Sequence, residues 1–245
     1  TTWKFREMIA HRDRMAKEKF AWWTARVSHA LRIADVIRID HFRGFAGYFE
    51  IPASCPDATQ GRWVKAPGKA LFAAIARELG PLPIVAEDLG LITPDVIELR
   101  DTCGFPGMRI LQFGFGRDGD HEFLPHNYVA ETVAYTGTHD NDTARGWWDN
   151  APPRERAYAG TYLAAGAADI HWAMIRAASN SVARTVIFPM QDVLGLDARH
   201  RMNVPGTCEA NWEWRFAWEM VGGEPGRVLG LISAASGRGP FTPLA

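Results

Sequence analysis

Val36-Ile37-Arg38-Ile39-Asp40-His41-Phe42-Arg43-Gly44-Phe45 changes character midway. Val36, Ile37 and Ile39 are β-branched and apolar, as a buried strand requires. From Asp40 the run turns polar and soon reaches a glycine. An acid where a buried strand opens into a loop is where parallel α/β folds place their chemistry. Arg38 precedes Asp40 by two residues, and the strand's period of two puts both side chains on one side. A guanidinium beside a carboxylate keeps it ionised. That suits a nucleophile or an electrostatic stabiliser, not a proton donor.

Before this run, Phe20, Trp23, Val27 and Leu31 fall at three- and four-residue spacing and predict one helix over Met15 to Leu31. After it, His41 to about Gly68 reads as a long loop with Pro52, Pro56 and Pro67. A helix is expected over Lys69 to Leu79, stopped by Gly80-Pro81. The next strand, Pro83 to Glu87, is again apolar and again ends on an acid. Thr93 and Pro94 open a short helix to Arg100 as N-cap and first helical residue. Further strands are expected at Met108 to Phe113, Thr132 to Thr136 and Thr185 to Met190. Helices are expected at Thr143 to Trp148, Arg154 to Leu163, Asp169 to Ala178 and Pro225 to Ser236. Apolar strands alternating with helices are the mark of βα units and a parallel sheet. Several different strands end on candidate catalytic residues. An open sheet gathers its site at one switch point, whereas a barrel spreads it around the rim, so the pattern favours a barrel.

Composition narrows the function classes. The chain has 245 residues, 47% hydrophobic and 22% charged, enough for a large core. Its net charge of -1 gives no electrostatic case for nucleic acid or an anionic membrane. Cys55, Cys103 and Cys208 form no C-x-x-C pair. That argues against a disulfide framework or a cysteine zinc site and for a reducing, cytoplasmic compartment. Residues Thr1 to Lys19 mix both charges without an apolar core and do not read as a signal peptide; the basic segment from Lys4 to Lys19 reads as a solvated face. No run approaches the roughly 20 apolar residues needed to span a bilayer. The Asn141-Asp142-Thr143 sequon is therefore expected to stay unglycosylated.

Three acids follow three separate strands: Asp40, Glu87 and Asp140. Cleaving a glycosidic bond with retention needs one carboxylate to attack the anomeric carbon and another to protonate the departing oxygen. Glu87 has no basic residue within five positions and ends a very apolar strand, so desolvation should raise its pKa and suit it to the donor role. Ten tryptophans support a sugar ligand. The pairs Trp22-Trp23 and Trp147-Trp148 should each leave at least one ring off the core side of a helix. Gly114-Phe115-Gly116-Arg117-Asp118-Gly119 fits a dinucleotide fingerprint, but Asp120 to Pro125 make a poor helix start. Asp40-His41 with His139-Asp140 offers metal-ligand types without a metal-site spacing, so no metal is expected.

The motifs as a set resemble the amylomaltases, the 4-α-glucanotransferases of glycoside hydrolase family 77. The resemblance is carried by Arg38 to Phe45, Ile51-Pro52, Ala86-Glu87-Asp88-Leu89-Gly90, Gly104 to Arg109 and Pro125 to Tyr128. It continues through Thr136 to Thr143, Gln191 to Gly195, Arg201 to Gly206 and Asn211-Trp212, and it covers about residue 20 to the end. It implies an eight-stranded (β/α)8 barrel acting on α-1,4-glucans by a retaining double displacement, with no metal or organic cofactor. By motif, Asp40 is the nucleophile, Glu87 the acid/base and Asp140 the stabiliser of the distorted sugar. Arg38, Asp88, His139 and Asn203 are expected on donor-side hydroxyls, and Phe113 lining the cleft.

The chain departs from that pattern at its start. The family's nucleophile follows the fourth strand, and this chain begins one helix earlier. The expectation is a single catalytic barrel domain represented over residues 1–245 by its C-terminal portion, about strands four to eight, whose partner is the missing N-terminal part. Such a piece, with exposed strand edges, is expected to be unstable or inactive alone. Residues Trp3 to Lys19 match the family poorly, and Phe49 stands where tryptophan is usual. Two rivals share these residues: an α-amylase-type hydrolase with water as acceptor, and a non-catalytic glucan-binding remnant.

Overall fold

The computed structural model describes residues 12–52, 55–57 and 59–240, so the readings made of residues 1–11 lie outside it. The chain divides into two units, one ending at Met108 and the other beginning at Arg109. Helices and strands mix in both. No helix among the described residues is long and apolar enough to cross a membrane.

In the first unit the expected helix over Met15 to Leu31 is two helices, α1 (Arg12–Lys17) and α2 (Ala21–Leu31). Lys19 and Phe20 between them have φ of 52° and 58°. Left-handed backbone is costly for side chains this large. The break is held because Phe20 enters the core, where Val27, Trp23 and Leu31 of α2 also pack. Strand β1 (Ile37–Ile39) follows, and His41, with φ 50°, swings the chain into a 3-10 turn over Phe42–Phe45. The segment read as one long loop then forms an antiparallel hairpin, β2 (Gly47–Glu50) with β3 (Arg62–Lys65). Phe49 pairs with Trp63, and Glu50 with Arg62, across it. Cross-strand aromatic and charge pairs of this kind stabilise a hairpin, but only the folded chain reveals them.

Helix α3 (Gly68–Leu79) lays Leu71, Phe72 and Ile75 on the core and ends at Gly80. Strand β4 (Ile84–Ala86) pairs parallel with β1, and helix α4 (Pro94–Cys103) buries Val96 and Leu99. The centre of this core is aromatic. Phe42 is fully buried, its ring 5.6 Å from Phe72 and 6.1 Å from Phe105. Each such pair adds about 0.5–1.5 kcal/mol beyond the area it buries. Phe42 lies two residues after Asp40, so this plug also fixes where the strand-end loop begins.

The unit boundary falls within β5 (Gly107–Ile110). The strand expected to reach Phe113 stops at Ile110 and turns into a 3-10 helix over Leu111–Gly116. Gly114 to Gly119 therefore opens no α-helix. In the second unit β6 (Thr132–Tyr135) lies between β5 and β7 (Thr185–Ile187), with β6 and β7 parallel. Helices α5 (Ala144–Asn150), α6 (Pro153–Leu163) and α7 (Ile170–Ser179) gather around Leu111, Phe115, Leu124 and Met174. The two tryptophan pairs differ. Trp22 is exposed beside packed Trp23, but Trp147 and Trp148 both pack on this core. Short α8 (Met190–Val193) replaces the end of the fifth expected strand. A four-residue helix, α9 (Trp218–Val221), precedes the last, α10 (Glu224–Ala235).

Candidate active site

In the first unit the site is built from the ends of β1 and β4. Their register pairs Ile37 with Ile84, Arg38 with Val85 and Ile39 with Ala86. Beyond Ile39 and Ala86 the ladder breaks: Glu87 N–H still donates to Ile39 O at 2.9 Å, but left-handed His41 turns away and Phe42 N–H takes the Glu87 carbonyl at 3.0 Å. Asp40 and Glu87 are thus the residues that directly follow the last matched pair of two parallel strands. Neighbouring strands stand about 4.8 Å apart, and matched residues face the same way. The two acids stand at adjacent strand ends, close enough for the Asp40 charge to act on Glu87.

Their surroundings differ. Arg38 Nη2 donates to Asp40 Oδ1 at 2.8 Å, the pairing that the two-residue spacing predicts. Glu87 Oε2 accepts from His41 N–H at 2.6 Å and Oε1 from Leu89 N–H at 2.8 Å. Burial raises the Glu87 pKa above the usual carboxylate range despite those two donors; the Asp40 charge adds to the rise and Arg38 opposes it. Arg38 is the cation that local spacing around Glu87 could not show. The result is one acid beside a guanidinium and one acid pushed toward its protonated form, as two different roles at one bond require.

Asp88 is placed differently from the expectation of a sugar contact. It is 4% exposed, with Oδ1 accepting from Met108 N–H at 2.7 Å and Oδ2 from Arg100 Nη1 at 2.6 Å. It fastens the loop that begins at Glu87 to α4 and to the start of β5. Nothing in the local sequence marks Arg100 for this pairing, because the two residues are twelve positions apart.

In the second unit the loop after β6 carries His139 and Asp140. Asn203 Nδ2 donates to Asp140 Oδ1 at 2.6 Å, and His139 Nε2 lies 3.3 Å from Oδ2. Arg201 Nη2 donates to the Asp140 carbonyl at 3.0 Å. Thr138 turns the loop by giving both its N–H and its hydroxyl to Asn141 Oδ1 at 2.9 Å. His139, Asp140 and Asn203 therefore come together. Sequence spacing assigns no role to Arg201 or Trp212. Trp212, 55% exposed, lies with its ring 5.0 Å from that of His139. Phe113 stands on the 3-10 turn after β5, 45% exposed and 6.0 Å from Phe123. Among the described residues no group of three or more His, Cys, Asp or Glu is arranged to hold a metal.

Comparisons with known proteins agree on one family. The family model for 4-alpha-glucanotransferase matches residues 3–220. The 4-alpha-glucanotransferase of Thermus thermophilus is 47% identical over 234 residues, covering 92% of this chain and 47% of that protein. The chloroplastic/amyloplastic enzyme of Arabidopsis thaliana is 50% identical over 224 residues, covering 89% of this chain and 39% of its own length. Among solved structures, an amylomaltase from Streptococcus agalactiae in complex with acarbose superposes with a TM-score of 0.89 at 39% identity, covering 93% of this chain and 46% of that one. An amylomaltase from Corynebacterium glutamicum shares the fold, with a TM-score of 0.65 at 20% identity over 82% of this chain and 34% of that one. The chain spans less than half the length of these relatives. It belongs to the 4-alpha-glucanotransferase family, glycoside hydrolase family 77.

Proposed function

We propose that this chain forms part of a 4-α-glucanotransferase that moves segments of α-1,4-glucan between maltodextrins with retention of configuration. The observation that carries this is that Asp40 and Glu87 directly follow the matched pair Ile39 and Ala86 at the ends of two parallel strands, with the Asp40 charge acting on Glu87. Retaining cleavage needs two carboxyl groups about 5–5.5 Å apart, and adjacent strands deliver that order of spacing. Asp40 attacks the anomeric carbon of the donor glucan while Glu87 gives its proton to the departing 4-oxygen. The glucosyl–Asp40 ester then receives the 4-hydroxyl of a second glucan, with Glu87 taking the proton back. Asp140 is assigned to stabilising the distorted sugar, with His139, Asn203 and Arg38 on its hydroxyls and Phe113 against the glucan. Asp88 is assigned to the donor side through its hold on the Glu87 loop.

The acarbose held by the amylomaltase of Streptococcus agalactiae is in keeping with a maltooligosaccharide substrate. We further read the fold as the C-terminal portion, about strands four to eight, of a (β/α)8 barrel, acting in a reducing, cytoplasm-like compartment. The test is trapping. A fluorinated glucosyl donor should label Asp40, as seen by mass spectrometry of the protein and its peptides. Asp40→Asn should take up no label, and label on another residue would overturn the assignment. A ladder of longer maltodextrins from maltotriose marks transfer, whereas short products alone would mean hydrolysis.

A further inference from the structure

Asp192 is a carboxylate that the proposed reaction does not use. It sits on α8, 1% exposed, and no sugar can reach it. Its two oxygens serve two points of one loop. Oδ2 accepts from the Thr136 hydroxyl at 2.5 Å, at the end of β6. Oδ1 accepts from Ala144 N–H at 2.7 Å, at the first residue of α5. Between these points lie His139 and Asp140. The same loop is gripped again near its far end by Gln112, 3% exposed, whose Nε2 donates to Asp142 O at 2.8 Å. A Cβ on Gly137 would come within 2.8 Å of that nitrogen, so the loop backbone runs hard against it.

The geometry points to Asp192 as a positioning residue: its carboxylate fastens both ends of the loop that carries His139 and Asp140. The inference rests on the role assigned above to Asp140. A buried carboxylate is expensive unless its lone pairs are used. Here both oxygens have short donors, and the donors belong to the loop whose shape the reaction needs. Misplacing a catalytic group by about 1 Å can cost on the order of a hundredfold in rate.

Protonation state matters to such a clamp, because only the ionised form accepts at both oxygens without a proton of its own to place. Burial pushes Asp192 up to about 6, with the Asp142 charge adding to the rise and the two donors opposing it. Helix α7, packed against α8, carries His171; α5, whose first residue bonds Asp192, carries Arg145, which donates to Gly195 O; and Arg201 lies 3.9 Å from Asp142. The acid limb of kcat should therefore lie near pH 6 and depend on this residue.

The experiment compares wild type, Asp192→Ala, Asp192→Asn and Thr136→Val in the full protein. Thr136→Val removes one donor and leaves the carboxylate, so it reports even if Asp192→Ala fails to fold. Backbone hydrogen exchange over residues 137–143 should speed up in Thr136→Val and Asp192→Ala. In transfer assays kcat should fall by about tenfold to a hundredfold, with the donor KM changed less than about threefold. Asp192→Asn keeps the shape, should retain more activity than alanine, and should move the acid limb down toward the ordinary carboxylate range near 4. Unchanged exchange in folded variants overturns the clamp. Faster exchange with unchanged kcat, or an acid limb that stays in place in Asp192→Asn, overturns the positioning role. A wild type that transfers no glucan overturns the proposed function instead, and the exchange arm still decides the clamp.

Discussion

Replacing Gly107 with alanine tests how tightly the Glu87 loop is fastened. A Cβ at this position would lie 2.9 Å from Asp88 Cγ and Oδ1, and nearer still to Oδ2. Ordinary contacts of a Cβ begin near 3.4 Å, so the carboxylate must retreat by at least about 0.5 Å. It has little room, because its side chain is 2% exposed. Retreat lengthens the 2.6 Å bond from Arg100 and the 2.7 Å bond from Met108 N–H together. Uncoupling one member of a buried ion pair costs about 3–5 kcal/mol. Arg100 keeps its contacts with Asp101 at 2.7 and 2.9 Å, so the lower end, about 3 kcal/mol, is expected. For a chain of this length that is roughly 6–12 °C in Tm. Urea unfolding gives the free energy directly. Gly230→Ala, inside α10 with open space around it, is the control and should stabilise by about 0.5–1 kcal/mol. A loss below about 0.5 kcal/mol in Gly107→Ala would refute the reasoning, since the carboxylate would then have a second, equally good seat.

The acids carry two further expectations. Glu87→Gln should lower kcat/KM by about 10²- to 10⁴-fold for natural glucans and abolish the alkaline limb of the pH–rate profile. A donor with a very acidic leaving group should recover much of the first step; no recovery would remove Glu87 as the acid. Stability should depend on Asp192. Its folded pKa of about 6 stands above the ordinary 3.8, so the folded state holds the proton more tightly. Its contribution to stability is complete below about pH 4 and is lost as the pH rises through about 6. That difference is worth about 3 kcal/mol. Urea titrations between pH 4 and 7 should show this fall in wild type and a flatter line in Asp192→Asn; parallel lines would disprove it.

Local spacing made much of the chain legible. The apolar runs ending on Asp40 and Glu87 marked β1 and β4, and the two-residue step from Arg38 to Asp40 foretold their ion pair, since a strand's alternation is a property of the backbone alone. The helix ends at Gly80 and Pro94 were legible for the same reason. The hairpin of β2 and β3 was not, because its pairs Phe49–Trp63 and Glu50–Arg62 exist only once two separated segments meet. The break at Lys19 and Phe20 was hidden too: its strained backbone is compensated by burying a ring among residues far along the chain. Near the proposed site, Arg100, Arg201 and Asp192 lay beyond sequence reasoning because their partners are 12 to 61 positions away. What the amino-acid order by itself determined was the set of strand ends and the acids that stand on them. What only the tertiary structure decided was which donors reach those acids and how far each is removed from water, because hydrogen bonding and desolvation depend on neighbours that chain folding alone brings near.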